Sequence, residues 1–236
     1  MNPSALLSER AGVTYVGSFA ELLATPLAAG VNALCWPRVL SGDYAAVAAG
    51  LAGGEAIDTL DEARLLALDV GPAGRVAVQQ LLADLRLLRE HGLEPALNCI
   101  NGYPRDDAAG LIATDVFSFH ADSAPFAADT WLCTYFGPAS EGLSPGDAER
   151  RVDQPETRAA LLKEFGGADG EEFREFLQEN CYDLHYVPKA GAQPYGFGLG
   201  NLWRIATDYP GSPVPPCVHR APATRPGDPP RLLLIS

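Results

Sequence analysis

The residues best suited to chemistry in this sequence are a histidine and an aspartate two positions apart, His120-Ala121-Asp122, closing a segment from Thr114 to Asp122 that reads as a β-strand. Alternate residues of a strand project from one face, so the imidazole and the carboxylate point the same way and could converge on one cation. Ser118 shares that face, while Phe117 and Phe119 share the other, the pattern of a sheet with one packed side and one pocket side. A third ligand is needed, and His219, at the end of the apolar segment Val214 to His219, is the best candidate. Two imidazoles and one carboxylate leave coordination positions open for reactants, a donor set that suits non-haem Fe(II). The other two histidines read differently. His91 closes a helix, where an imidazole complements the dipole, and His185, between Leu184 and Tyr186, reads as a hydrogen-bonded core or pocket-wall residue.

Arg231 opens the segment Arg231 to Ser236, which is so apolar that a charge at its start demands a partner. A carboxylate-bearing co-substrate, gripped by the guanidinium fork, would serve; Arg225 competes for the same role. With these residues assembled, the sequence resembles the Fe(II)/2-oxoglutarate-dependent oxygenase superfamily. The double-stranded β-helix of that family carries His-x-Asp, a distal His and, about one strand later, a basic residue. The resemblance covers Thr114 to the C-terminus. It implies that His120, Asp122 and His219 are the catalytic Fe(II) ligands, that 2-oxoglutarate fills two positions with its far carboxylate on Arg231, and that O2 takes the last. Family halogenases replace the carboxylate ligand with a small residue; Asp122 is present, which points to hydroxylation or desaturation of a small polar metabolite such as an amino acid or natural-product intermediate.

On the segment Asp129 to Phe136, Trp131, Cys133 and Tyr135 share one face and Thr130, Leu132 and Thr134 the other. The alternation does not say which face turns inward. Thr134 and Tyr135 are therefore both carried as co-substrate contacts, and Trp131 and Ser118 as substrate contacts. Gly196, Gly198 and Gly200 fall on one face of a strand expected over Tyr195 to Ala206; Arg204 continues that face and could hold an anionic group of the substrate.

These residues need a scaffold, and the composition permits one. The chain has 236 residues, 47% hydrophobic and 20% charged, enough for one domain with a sizeable core. The 24 glycines and 20 prolines suit many short strands. A net charge of −13 repels phosphate backbones and anionic membrane surfaces, so neither nucleic acid nor membrane is an expected partner. Met1 to Val13 has no basic start and no long apolar core, so no leader is expected and the location reads as cytoplasmic. Five scattered cysteines, none in a C-x-x-C pair, read as reduced thiols, and the dominance of Arg over Lys fits a GC-rich bacterial genome. Nothing in the sequence assigns an oligomeric state.

Residues 1–110 read as a mainly helical support, with helices over Phe19 to Ala29, Asp43 to Ala52 and Gly71 to His91 and short strands at Val31 to Trp36 and Glu94 to Ile100. Residues 111–236 read as the barrel core, with a helical insertion at about 145–180 whose helices would start at the capping boxes Asp153-x-x-Glu156 and Asp169-x-x-Glu172. The expected fold is α+β, a double-stranded β-helix (jelly-roll) barrel carrying an N-terminal helical layer. Two other readings keep part of this scheme. A cupin-like metalloenzyme that does not use 2-oxoglutarate, such as a thiol dioxygenase or isomerase, keeps the metal and frees Arg231. A non-enzymatic β-fold protein binding a ligand or metal keeps only the fold.

Overall fold

The structure, a computed structural model, describes residues 10–105, 110–225 and 227–236. Most of the Met1 to Val13 stretch behind the expectation of no leader lies outside them. The fold is mixed α+β. In chain order its elements are β1 (Val13–Tyr15), α1 (Phe19–Ala24), β2 (Ala33–Trp36), α2 (Tyr44–Leu51), β3 (Ile57–Leu60), α3 (Glu62–Leu66), α4 (Pro72–Glu90) and β4 (Ala96–Ile100). There follow β5 (Phe119–His120), β6 (Asp129–Phe136), β7 (Glu141–Gly142), β8 (Ala148–Arg150), α5 (Pro155–Phe165), α6 (Glu171–Glu179), β9 (His185–Pro188), β10 (Tyr195–Gly196), β11 (Leu202–Ala206), β12 (His219–Arg220) and β13 (Arg231–Ile235). Among the described residues no helix is long and apolar enough to cross a membrane.

The strands form two sheets that are not closed into a barrel: a seven-stranded one, β1-β2-β11-β6-β13-β4-β3, and a six-stranded one, β10-β7-β12-β5-β9-β8. Strand alternation divides the large sheet into two faces. Leu34, Leu97, Trp131, Cys133, Tyr135, Leu232 and Leu234 pack on the helices, while Ala33, Cys35, Ile100, Leu132, Trp203, Ile205 and Leu233 pack toward the small sheet with Tyr195, Phe197 and Cys217. Every second residue of β6 and β13 thus serves a different core.

The helical face is organised by α4. Pro72 sits in its first turn, and Val78, Leu81, Leu82, Leu85 and Leu88 recur at helical spacing and are buried, each worth about 1.5–3 kcal/mol against exposure. One polar residue faces inward with them. Asp84, 3% exposed, pairs with Arg38 at 2.8 Å and accepts the Tyr135 hydroxyl at 2.6 Å. Arg38 in turn donates to the Gly200 carbonyl at 2.8 Å, so this buried pair fastens the helix to the chain entering β11.

Several sequence expectations are corrected in detail. Within residues 1–110, β1 and β3 join the two strands expected there, and together the four make up more than half of the large sheet's seven strands. The first helix stops at Ala24 because Thr25 turns extended ahead of Pro26. Tyr195 to Ala206 is not one strand: Gly198 and Gly200 adopt left-handed φ of 73° and 76°, turning the chain from β10 in the small sheet to β11 in the large one. The insertion carries α5 and α6 around a small core of Ile112, Val152, Leu161, Phe173 and Leu177, but neither capping box forms. The N-caps are Gln154 and Gly170, without side-chain bonds, and Asp169 is engaged by Arg158 at 2.6 and 2.8 Å. Gly166, with φ 77°, ends α5.

Candidate metal centre

β5 and β12 pair antiparallel with His120 directly opposite His219, and directly opposed residues share a face. The two rings lie 4.6 Å apart between centroids, pointing toward the large sheet's inner face. Asp122, just beyond β5, completes the group: its Oδ1 is 3.9 Å from His120 Nε2 and its Oδ2 is 3.7 Å from His219 Nε2. One ligand-type atom from each of the three lies within 4.8 Å of the others.

The backbone sets the chemistry of both rings. His120 Nδ1 lies 2.8 Å from the Ser118 carbonyl and His219 Nδ1 lies 3.2 Å from the Cys217 carbonyl, in each case the residue two places earlier. A carbonyl only accepts, so each Nδ1 carries the hydrogen and each Nε2 presents its lone pair to the centre. Burial, and then the neighbouring His219, lower the pKa of His120, which keeps that ring in the neutral form a metal ligand needs. Asp122 is held as well. Its carbonyl accepts from the Asp208 amide at 2.7 Å and its Oδ2 accepts from the Thr130 hydroxyl at 2.6 Å.

A third histidine extends the row. His185 on β9 stands opposite His120 on the other side, 5.9 Å between ring centroids, 4% exposed, with its Nδ1 lacking a partner among the described residues. Burial, and then His120, lower its pKa to about 4.

The three ligand-type residues open into a cavity of about 200 Å³ between the sheets, with Arg231 in its wall. Arg231 is 2% exposed, and among the described residues it meets hydroxyls only: Tyr103 at 3.0 Å, Thr134 at 2.9 Å and Ser140 at 2.6 Å. Its Nε is buried with no partner, and burial lowers the pKa of the guanidinium, which nonetheless stays charged at neutral pH. A buried cation without a counter-charge is expensive. Ile57, Ile100, Leu132, Leu233 and Ile235 supply the apolar wall opposite.

No family model, curated protein or solved structure matches this chain. The geometry therefore stands by itself, and it divides the residues singled out from the sequence. His120, Asp122, His219 and Arg231 share one cavity, and Thr134 touches it through Arg231. Ser118 contributes its carbonyl to His120. Trp131 and Tyr135 lie on the helical face of β6, Trp131 against Phe19 and Tyr135 against Asp84, so neither reaches the cavity. Arg204 lies on that same face, paired with Asp129 at 2.7 Å and donating to the Leu23 carbonyl at 2.9 Å, where it satisfies the end of α1. Arg225 is exposed and does not line the cavity; its amide binds Asp228.

Sequence reasoning missed Tyr103, Ser140 and Thr130 as site residues. Only Thr130 carried a signal, because it shares alternation with Thr134. His185, read as a core or pocket-wall residue, is buried beside His120.

Proposed function

We propose that this protein is a non-haem Fe(II) oxygenase that consumes 2-oxoglutarate and hydroxylates or desaturates a small metabolite. The observation that carries the reading is that two imidazoles, a carboxylate and an uncompensated buried guanidinium line one cavity.

The donor set fits the metal. Cis ligands about 2.1 Å from one ion stand about 3 Å apart, and one ligand-type atom from each of His120, Asp122 and His219 already lies within 4.8 Å of the others. Two neutral imidazoles and one carboxylate suit Fe(II) with open positions. Fe(II) bound there with 2-oxoglutarate and O2 would supply an oxidant for an unactivated C–H bond, while the co-substrate loses CO2 and becomes succinate.

The chain's own part is positioning. Arg231 fixes the far carboxylate of 2-oxoglutarate through its fork, and Tyr103, Thr134 and Ser140 hold the guanidinium in place for it. The Ser118 and Cys217 carbonyls hold the imidazoles in the metal-binding tautomer. The aliphatic wall of Ile57, Ile100, Leu132 and Ile235 keeps water from the reacting centre and packs on the carbon skeleton of the substrate. The net charge of −13 favours a small molecule over nucleic acid or an anionic membrane as partner.

The reading brings a fold with it, a double-stranded β-helix left open at its ends. What supports it is the winding of eight strands into two antiparallel groups of four, β11-β6-β13-β4 and β10-β7-β12-β5, with consecutive strands passing repeatedly from one sheet to the other.

The test is succinate formation from 2-oxoglutarate with Fe(II), ascorbate and a metabolite pool. The proposal expects turnover that is lost in both His120→Ala and Arg231→Ala. Turnover that survives Arg231→Ala and fails in His120→Ala would favour a metalloenzyme without 2-oxoglutarate. No turnover with any pool, together with no binding of 2-oxoglutarate, would contradict the proposal.

A further inference from the structure

We propose that Thr130 is a positioning residue for the metal site: its hydroxyl holds the Asp122 carboxylate in one rotation beside His120 and His219, so that a bound ion takes it through a single oxygen. The inference rests on metal binding at His120, Asp122 and His219.

The bond is short, 2.6 Å from Thr130 Oγ1 to Asp122 Oδ2, in the range of hydroxyls donating to an ionised carboxylate. Both ends are anchored. Thr130 sits within β6 opposite Ile205 of β11, and its neighbour Trp131 exchanges two backbone bonds of 2.9 Å with Ser236. The backbone of Asp122 is held by the Asp208 amide. The one freedom left to Asp122 is rotation of its side chain, which is 31% exposed and without Thr130 could swing toward solvent or lie flat against an ion with both oxygens.

The consequence is a count of positions. An octahedral ion held by His120, His219 and one oxygen of Asp122 keeps three positions, enough for a bidentate co-substrate and O2; a bidentate Asp122 would leave two. Thr130 also belongs to the large sheet, whereas both histidines belong to the small one. Its hydroxyl therefore ties the geometry of the ligand set to the spacing of the two sheets.

The experiment uses the full chain and metal alone. Mn(II) affinity is measured by electron paramagnetic resonance, the number of Mn(II)-bound waters by water-proton relaxation, and Co(II) coordination by visible absorption, in wild type, Thr130→Val, Thr130→Ser and His120→Ala. Outer-sphere partners of metal ligands typically contribute 10–100-fold in affinity, and Thr130→Val is expected to lose about that much, with a changed Co(II) spectrum and fewer bound waters. Thr130→Ser, which keeps the hydroxyl, is expected to stay within about threefold of wild type by the same standard. Melting temperatures of the metal-free proteins separate a folding defect from a site defect. Wild-type affinity and spectrum in Thr130→Val, or equal losses in Val and Ser variants, would overturn the role of Thr130 while leaving the metal site intact. Absence of metal binding in wild type, or binding undiminished in His120→Ala, would overturn the metal reading itself.

Discussion

Replacing Arg231 by Met removes the guanidinium while keeping a long unbranched side chain, and it should separate binding from folding. In the free protein two effects oppose. Three hydrogen bonds to Tyr103, Thr134 and Ser140 are lost, at about 1 kcal/mol net each, and relief of a buried unpaired cation returns several kcal/mol. The stability of the free variant should stay within about 2 kcal/mol of wild type. Binding has no such compensation, because losing one partner of a buried charge pair costs about 2–5 kcal/mol, roughly 30- to 4000-fold in Kd. The assay is thermal melting with Mn(II), with and without 2-oxoglutarate. At 100 times the wild-type Kd the ligand stabilises wild type by about 2.7 kcal/mol, which for a chain of this size is a shift of roughly 5–11 °C. A variant weakened about 100-fold would gain about 0.4 kcal/mol, a shift of about 1 °C. Equal ligand-induced shifts in the two proteins would refute the anchoring role of Arg231. A collapse of the free variant would show instead that the guanidinium is there to hold the sheets together.

Two further outcomes follow from buried groups. His185, with its pKa lowered to about 4 from 6.5, is neutral in the folded chain and charged in the unfolded chain between those values, so its contribution is complete above pH 6.5 and is lost as pH falls toward 4, amounting to at most about 3 kcal/mol. Urea unfolding of metal-free protein at pH 7 and pH 4.5 should show this loss shrinking in His185→Leu, and an unchanged pH dependence would refute the assignment. Asp84→Ala leaves Arg38 buried without its partner and Tyr135 without its acceptor, and should destabilise by about 3–5 kcal/mol in the same assay. A loss below about 1 kcal/mol would mean that the pair contributes little to fastening α4.

The strand arithmetic that grouped His120 with Asp122 worked although only Phe119 and His120 are strand, because the chain stays extended long enough for both side chains to reach one point. His219 was legible as the end of an apolar segment, and Arg231 as a charge that an apolar strand cannot bury alone. The helix Pro72–Glu90 was legible from its leucine spacing and the glycine after it. The inward face of β6 was not. Alternation yields two sets of residues, and only the position of α4 reveals that Trp131 and Tyr135 serve the helical core while Thr130 and Thr134 serve the cavity. The strands β1 and β3, of three and four residues, are too short for a period to emerge. The glycines before Arg204 read as a bare strand face because positive φ leaves no mark in a sequence beyond glycine itself. Tyr103 and Ser140 come from separate connections and meet only at Arg231, so no motif could name them.

The central claim is that one ion and one dicarboxylate meet in the cavity between the sheets. A crystal structure of the protein prepared without oxygen, with Fe(II) and 2-oxoglutarate, tests it most directly. The account predicts a single ion about 2.0–2.2 Å from Nε2 of His120, Nε2 of His219 and one carboxylate oxygen of Asp122, with the far carboxylate of the co-substrate on Arg231. An ion bound elsewhere, or a cavity that takes neither, would contradict it.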